Sequence, residues 1–128
     1  MSRYLLDTHA AIWFFNGDNA ISETAKKIIF NPSNAKYLSI ASAWELAIKI
    51  GLEKMKFTDK ASGFISLAEN NGFTILPIKT THLSTLETLP MIHRDPFDRL
   101  LVATAIAEKM TILTADENIV KYNVGQIW

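Results

Sequence analysis

The sequence predicts an α/β fold: one three-layer α/β/α domain over residues 1–128 with a mostly parallel central sheet. Two observations carry this. Short apolar runs alternate with stretches of helical periodicity, which implies crossover connections and a sheet covered on both faces. The length of 128 residues, with 48% hydrophobic and only 20% charged side chains, is enough for one sizeable core and too little for two. No repeat, linker or low-complexity tract interrupts the pattern.

The elements follow in order. Arg3-Tyr4-Leu5-Leu6 reads as a short buried strand, followed by helices over Thr8–Phe15 and Ser22–Phe30 and a second strand over Lys36–Ile40. A longer helix is predicted from about Ala43 to Lys54, because Trp44, Ala47, Ile48, Leu52 and Met55 recur at three-and-four spacing while Glu45, Lys49 and Glu53 mark another face. A helix near Ala61–Asn70 is stopped by Asn71-Gly72 and gives way to a strand over Phe73–Ile78. Thr81–Leu89 reads as a short helix. Pro96 opens the next, which runs to about Lys109 with small or apolar residues on most faces, as packing against a sheet requires. Thr111–Thr114 completes the strands around the core, Glu117–Tyr122 forms a short helix and Gly125–Trp128 a last strand.

Composition excludes several classes. Cysteine is absent, so neither a disulfide framework nor a thiolate zinc site nor a thiol nucleophile is available, and a reducing cytoplasm is compatible. The stretch from Tyr4 to Phe15 is broken by Asp7 and His9 and lacks a signal-peptide cleavage pattern. All apolar runs fall well short of the ~20 residues that span a bilayer. Thirteen Lys plus Arg balance thirteen Asp plus Glu, so nucleic-acid binding would rest on a local patch.

Asp7, Glu45, Asp98 and Asp116 each stand where an apolar run hands over to a helix. In a parallel sheet these points share one edge, where α/β proteins hold ligands. Each also has a structural role open to it. Asp7 and Asp116 can be N-caps; Ser42 and Glu45 fit the S-x-x-E capping box; Asp95 can cap the Pro96 helix while Asp98 faces its dipole. Caps, however, are served equally well by Ser, Thr or Asn. Carboxylates crowded together cannot all stay ionised without a cation. Mg²⁺ or Mn²⁺ suits such an oxygen site better than zinc, since Cys is absent and His9, His82 and His93 lack ligand-like spacing.

The segments Leu5-Leu6-Asp7-Thr8-His9, Ser42-Ala43-Trp44-Glu45-Leu46-Ala47-Ile48-Lys49, His93-Arg94-Asp95-Pro96-Phe97-Asp98-Arg99-Leu100-Leu101-Val102-Ala103-Thr104-Ala105 and Leu113-Thr114-Ala115-Asp116 resemble those of PIN-domain nucleases, in particular the VapC-like toxins of bacterial toxin–antitoxin pairs. The resemblance spans nearly the whole chain in order. It implies a PIN-like fold and a divalent-metal-dependent endoribonuclease that inhibits translation and growth, with Asp7, Glu45, Asp98 and Asp116 as metal ligands. Thr8, Asp95 and Thr114 take supporting places, Asp95 as a cap in preference to a ligand. It further implies cleavage leaving a 5′ phosphate and a 3′ hydroxyl, a cognate antitoxin, a homodimer and a cytoplasmic location.

His9, Lys49, His93, Arg94 and Arg99 flank this site in sequence and are candidates for RNA phosphate contacts, with an ordinary solvated surface role favoured for any one of them and Lys49 also placed for a helix salt bridge to Glu45. Trp13, Phe14, Phe15 and Trp44 read as core or partner-contacting residues before base-stacking ones. Two rivals remain. A phosphoacceptor receiver domain shares the architecture, but Asp7 stands alone after the first strand and no Lys-Pro follows Thr111–Thr114. The other is a non-catalytic PIN-like module that grips a protein partner.

Overall fold

The computed structural model describes residues 2–53 and 60–128. Strands β1 (Arg3–Leu6), β2 (Ala35–Ser39), β3 (Phe73–Leu76), β4 (Thr111–Leu113) and β5 (Gln126–Ile127) form one sheet in the order β3-β2-β1-β4-β5, with every neighbouring pair parallel. Helices α1 (Thr8–Asn16), α2 (Glu23–Phe30), α3 (Ile40–Gly51), α4 (Lys60–Asn70), α5 (Thr80–Thr88), α6 (Pro96–Glu108) and α7 (Glu117–Val120) provide the connections. The predicted α/β class and parallel sheet are thus found.

Because side chains alternate across a strand, adjacent residues feed opposite cores. Leu6, Leu38 and Leu113 join Ala11, Ile29, Leu46 and Phe64 on the face covered by α1 to α4. Leu5, Ile112 and Leu76 join Leu101, Val102, Ala105 and Ile119 on the face covered by α6 and α7. Leu5 and Leu6 are both fully buried, as the central strand of a doubly covered sheet demands. Away from the strand ends that carry the acids, His82 is enclosed: its Nδ1 accepts from the Lys79 amide at 3.1 Å and its Nε2 meets Glu108 at 2.7 Å, tying α5 to α6.

Boundaries differ from expectation where side-chain chemistry overrides periodicity. Helix α3 begins at Ile40, not near Ala43, because Ser39 ends β2 and at once caps the helix, its hydroxyl accepting from the Ala41 amide at 3.0 Å. The Ser42–Glu45 capping box is therefore corrected: both residues lie inside the helix. The predicted end of this helix at Lys54, and the packing of Met55, lie outside the described residues. Strand β3 stops at Leu76, since Pro77 has no N–H to offer a neighbour.

Helix α1 ends on Gly17, which adopts φ 66° while its N–H bonds back to the Phe14 carbonyl at 3.2 Å. A Cβ there would meet nothing within 4 Å, so the cost of substitution is conformational alone. Gly17→Ala is expected to lower the unfolding free energy by about 1 kcal/mol. Urea denaturation checks this; an unchanged midpoint would refute it.

The chain first walks outward from β1 to β2 and β3, then returns to place β4 on the other side of β1. That reversal opens a crevice beyond the carboxyl ends of β1 and β4.

Candidate metal centre

Asp7 is the first residue after β1, and its amide extends the ladder to the Leu113 carbonyl at 3.1 Å. Its side chain is 5% exposed. One oxygen, Oδ1, caps α1 by accepting from the Ala10 amide at 2.6 Å; Oδ2 accepts from the Thr114 hydroxyl. Burial raises the Asp7 carboxyl above its ordinary value despite both hydrogen bonds, and the Asp116 charge adds to the rise. Thr114 in turn accepts from the Asp116 amide at 2.9 Å, so one hydroxyl locks the first acid to the backbone of the last. Asp116 caps α7 through Asn118 at 2.8 Å. Asp7, His9, Trp13, Ala115 and Asp116 line an open cleft of about 270 Å³.

Glu45 enters from α3 and is 3% exposed. Its Oε1 accepts from the Thr8 hydroxyl at 2.8 Å and its Oε2 meets Lys49 Nζ at 2.7 Å. Thr8 Oγ1 is also 2.9 Å from Ser42 Oγ. With one proton per hydroxyl, Thr8 donates to the carboxylate and Ser42 donates to Thr8.

Asp98 occupies the first turn of α6, behind the Asp95 cap, whose Oδ1 accepts from the amides of Phe97 at 2.8 Å and Asp98 at 3.1 Å. Its Oδ2 lies 3.2 Å from His93 Nε2. Its carboxyl is pushed up to about 7, first by burial, then by the charges of Asp95, Asp116 and Glu45, with His93 acting in the opposite sense. The four acids are thus linked: Asp7 feels Asp116, and Asp98 feels both Asp116 and Glu45.

This donor set fits a hard divalent cation. All four groups are carboxylates, and burial together with the neighbouring acids pushes one of them, Asp98, up to about 7, a cost that a bound cation would offset. Among the described residues, the group of three or more candidate ligands whose ligand atoms lie within 4.8 Å of one another is His93, Asp95 and Asp98; Asp7, Glu45, Asp98 and Asp116 are not drawn together that closely.

The PIN domain family matches residues 4–124. This chain belongs to the PIN-domain family. No curated protein matches it in sequence. Among solved structures, a chain of VapBC2 from Rickettsia felis, bound to a DNA fragment from their promoter, superposes with a TM-score of 0.75 at 16% identity, covering 98% of both chains. DNA-bound VapBC from Salmonella typhimurium gives 0.68 at 16% identity, covering 100% of this chain and 98% of the other. FitAcB from Neisseria gonorrhoeae gives 0.67 at 18%, covering 98% and 96%. At these identities the likeness is one of fold.

The remaining expected site residues of this PIN domain fall in three places. His9 is exposed at the cleft, Lys49 is committed to Glu45, and Arg94 is exposed on a separate groove of about 430 Å³ with Leu86, Met91, Pro96 and Arg99. Arg99, a candidate RNA contact in sequence, is only 9% exposed, and its guanidinium donates to the carbonyls of Pro90 at 2.9 Å and Leu89 at 3.4 Å and to the Tyr122 hydroxyl at 3.1 Å. Phe14 and Phe15 pack against Phe73, whereas Trp44 is 57% exposed with its ring 5.1 Å from that of Phe97. Sequence reasoning missed His93 as a partner of Asp98 and gave Tyr122 no role. Spacing carries no signal for either, because a turn ending at Pro96 brings His93 back over the start of α6. Among the described residues no helix is long and apolar enough to cross a membrane.

Proposed function

We propose that this PIN domain is a divalent-metal-dependent endoribonuclease, the toxin of a toxin–antitoxin pair, acting on RNA phosphodiesters in the cytoplasm. The observation that carries the reading is the burial of Asp98 beside Asp95, Asp116 and Glu45, which together push its carboxyl up to about 7, an arrangement that a Mg²⁺ or Mn²⁺ ion would relieve. Asp7, Glu45, Asp98 and Asp116 would hold the ion. Bound there, it supplies a Lewis acid that lowers the pKa of a water and polarises the scissile phosphate, leaving a 5′ phosphate and a 3′ hydroxyl. The chain's own groups prepare the site. Thr114 fixes one Asp7 oxygen, Thr8 and Lys49 hold Glu45, and His9 stands at the cleft as a cationic or hydrogen-bonding contact for a phosphate.

The fold shared with chains of VapBC complexes supports an antitoxin partner. Phe30, Trp44, Ile48 and Leu52 are exposed on α2 and at or beside α3 and supply apolar surface for an antitoxin segment or a second copy of the chain.

Partner-free protein incubated with total cellular RNA and Mg²⁺ or Mn²⁺ is expected to make discrete cuts that vanish with EDTA and in Asp98→Asn. Absence of cuts would favour the binding-module reading. Cuts that persist in Asp98→Asn would refute the assignment of the site.

A further inference from the structure

We propose that Arg99 and Tyr122 form a clasp that positions the metal centre, holding the 89–95 loop so that His93 orients Asp98. This rests on reading the acids as a metal site. Neither residue reaches the acids through a side-chain hydrogen bond; they act through the loop.

A buried guanidinium is costly unless its donors are satisfied, and a carboxylate is the usual partner. Among the described residues Arg99 makes no ion pair: its donors go to the carbonyls of Leu89 and Pro90 and to the Tyr122 hydroxyl. The loop has no ladder of its own to fix it, so Arg99 supplies from α6 the hydrogen bonds that regular structure would provide. Tyr122, 2% exposed, works from beyond α7. Its hydroxyl accepts from the His93 amide at 2.9 Å and from Arg99, and its own proton points to the His93 carbonyl at 3.4 Å. His93 is therefore gripped at both backbone groups by one hydroxyl. Its side chain then reaches Asp98 Oδ2 at 3.2 Å. With the ring proton on Nε2, His93 holds the carboxylate's second oxygen and presents the first to an ion, the usual service of outer-shell partners.

The clasp also joins the elements that carry two of the acids. Asp98 and Arg99 are neighbours on α6, while Tyr122 follows the helix that Asp116 caps. Loosening the hydroxyl would free the loop and relax the tie between these two sides of the site.

Tyr122→Phe removes one oxygen and keeps the ring. Mn²⁺ affinity of the full chain, measured by calorimetry well below the melting midpoint, is expected to weaken about tenfold or more. Amide exchange at His93 is expected to quicken. If Tyr122 acts through His93, its effect must shrink to less than about twofold in a His93→Gln background, giving a strongly non-additive double-mutant cycle. A merely structural role would lower the melting temperature and leave the affinity of the folded protein unchanged. Unchanged affinity in Tyr122→Phe, additive effects, or no Mn²⁺ uptake by the wild type would each overturn the proposal. Arg99→Lys, which keeps the charge but loses the fork, gives a second test of the same loss should Tyr122→Phe fold poorly. Mn²⁺ binding that responds to the clasp in a protein that cuts no RNA would uphold this inference and sink only the ribonuclease reading.

Discussion

Asp7→Asn is expected to abolish metal-dependent cleavage and leave the fold intact. Loss of a group that merely supports a ligand costs about 10–100-fold in affinity or activity, so removing a ligand's charge at the end of the central strand should exceed ~100-fold. Asparagine has nearly the same size and keeps an Oδ1 to accept from the Ala10 amide, so the cap on α1 survives. Its Nδ2 then faces Thr114, whose hydroxyl oxygen already accepts from Asp116 and retains a second lone pair to accept again. Burial raises the Asp7 carboxyl, which means the ionised form is costly in the metal-free protein. Thermal melts in EDTA should therefore show Asp7→Asn no less stable than wild type. Turnover within tenfold of wild type would remove Asp7 from the site.

The second large effect is on pH. An ordinary aspartate titrates at 3.8, whereas Asp98 is pushed up to about 7. Between those values the folded chain holds a proton that the unfolded chain has lost. For this group, metal-free stability is therefore lowest above pH 7 and rises as pH falls through 7 towards 4. Metal and proton compete for the same oxygens, so Mn²⁺ affinity should weaken below pH 7 by up to about tenfold per unit. The two trends have opposite sign. A metal concentration of about 100 times the dissociation constant stabilises by about 2.7 kcal/mol. That gain should appear in full at pH 8 and shrink at pH 6 for the same total Mn²⁺. Calorimetry in two buffers of different ionisation enthalpy would count the released proton. Binding that is independent of pH from 6 to 8 would contradict the crowding of Asp98.

Much of this arrangement was legible in the residues. Leu5-Leu6-Asp7 and Ile112-Leu113-Thr114 read as buried strands running into polar positions because a doubly covered parallel sheet leaves no other place for them. The cap expected at Asp7 is present: one carboxylate oxygen caps α1, and the other accepts from Thr114. Asp95 took the cap, as expected from Pro96 beside it, while the Asp98 carboxylate meets His93 instead of the helix end. What was illegible depended on turns. Ile40 and Ala41 are as apolar as a strand, so only the Ser39 hydroxyl shows that the helix starts there. Arg99 looks like any surface arginine beside an acidic motif until the loop folds over it. Tyr122 and His93 are 29 residues apart, and no periodicity relates them.

The strand order has a consequence for how the protein comes into being. β1 comes first among the strands and sits at the centre of the sheet, but one of its two neighbours, β4, follows about a hundred residues later: Leu5 lies beside Tyr37 on one side and Ile112 on the other. Until that last pairing closes, Asp7 lacks the hydroxyl that holds it and Asp116 has nowhere to be. On the proposed function a chain that lacks β4 could not assemble the candidate metal centre, and pairing across so long a separation is a slow step of folding. The candidate centre is thus completed only when β4 has paired with β1, late in the order of the described strands.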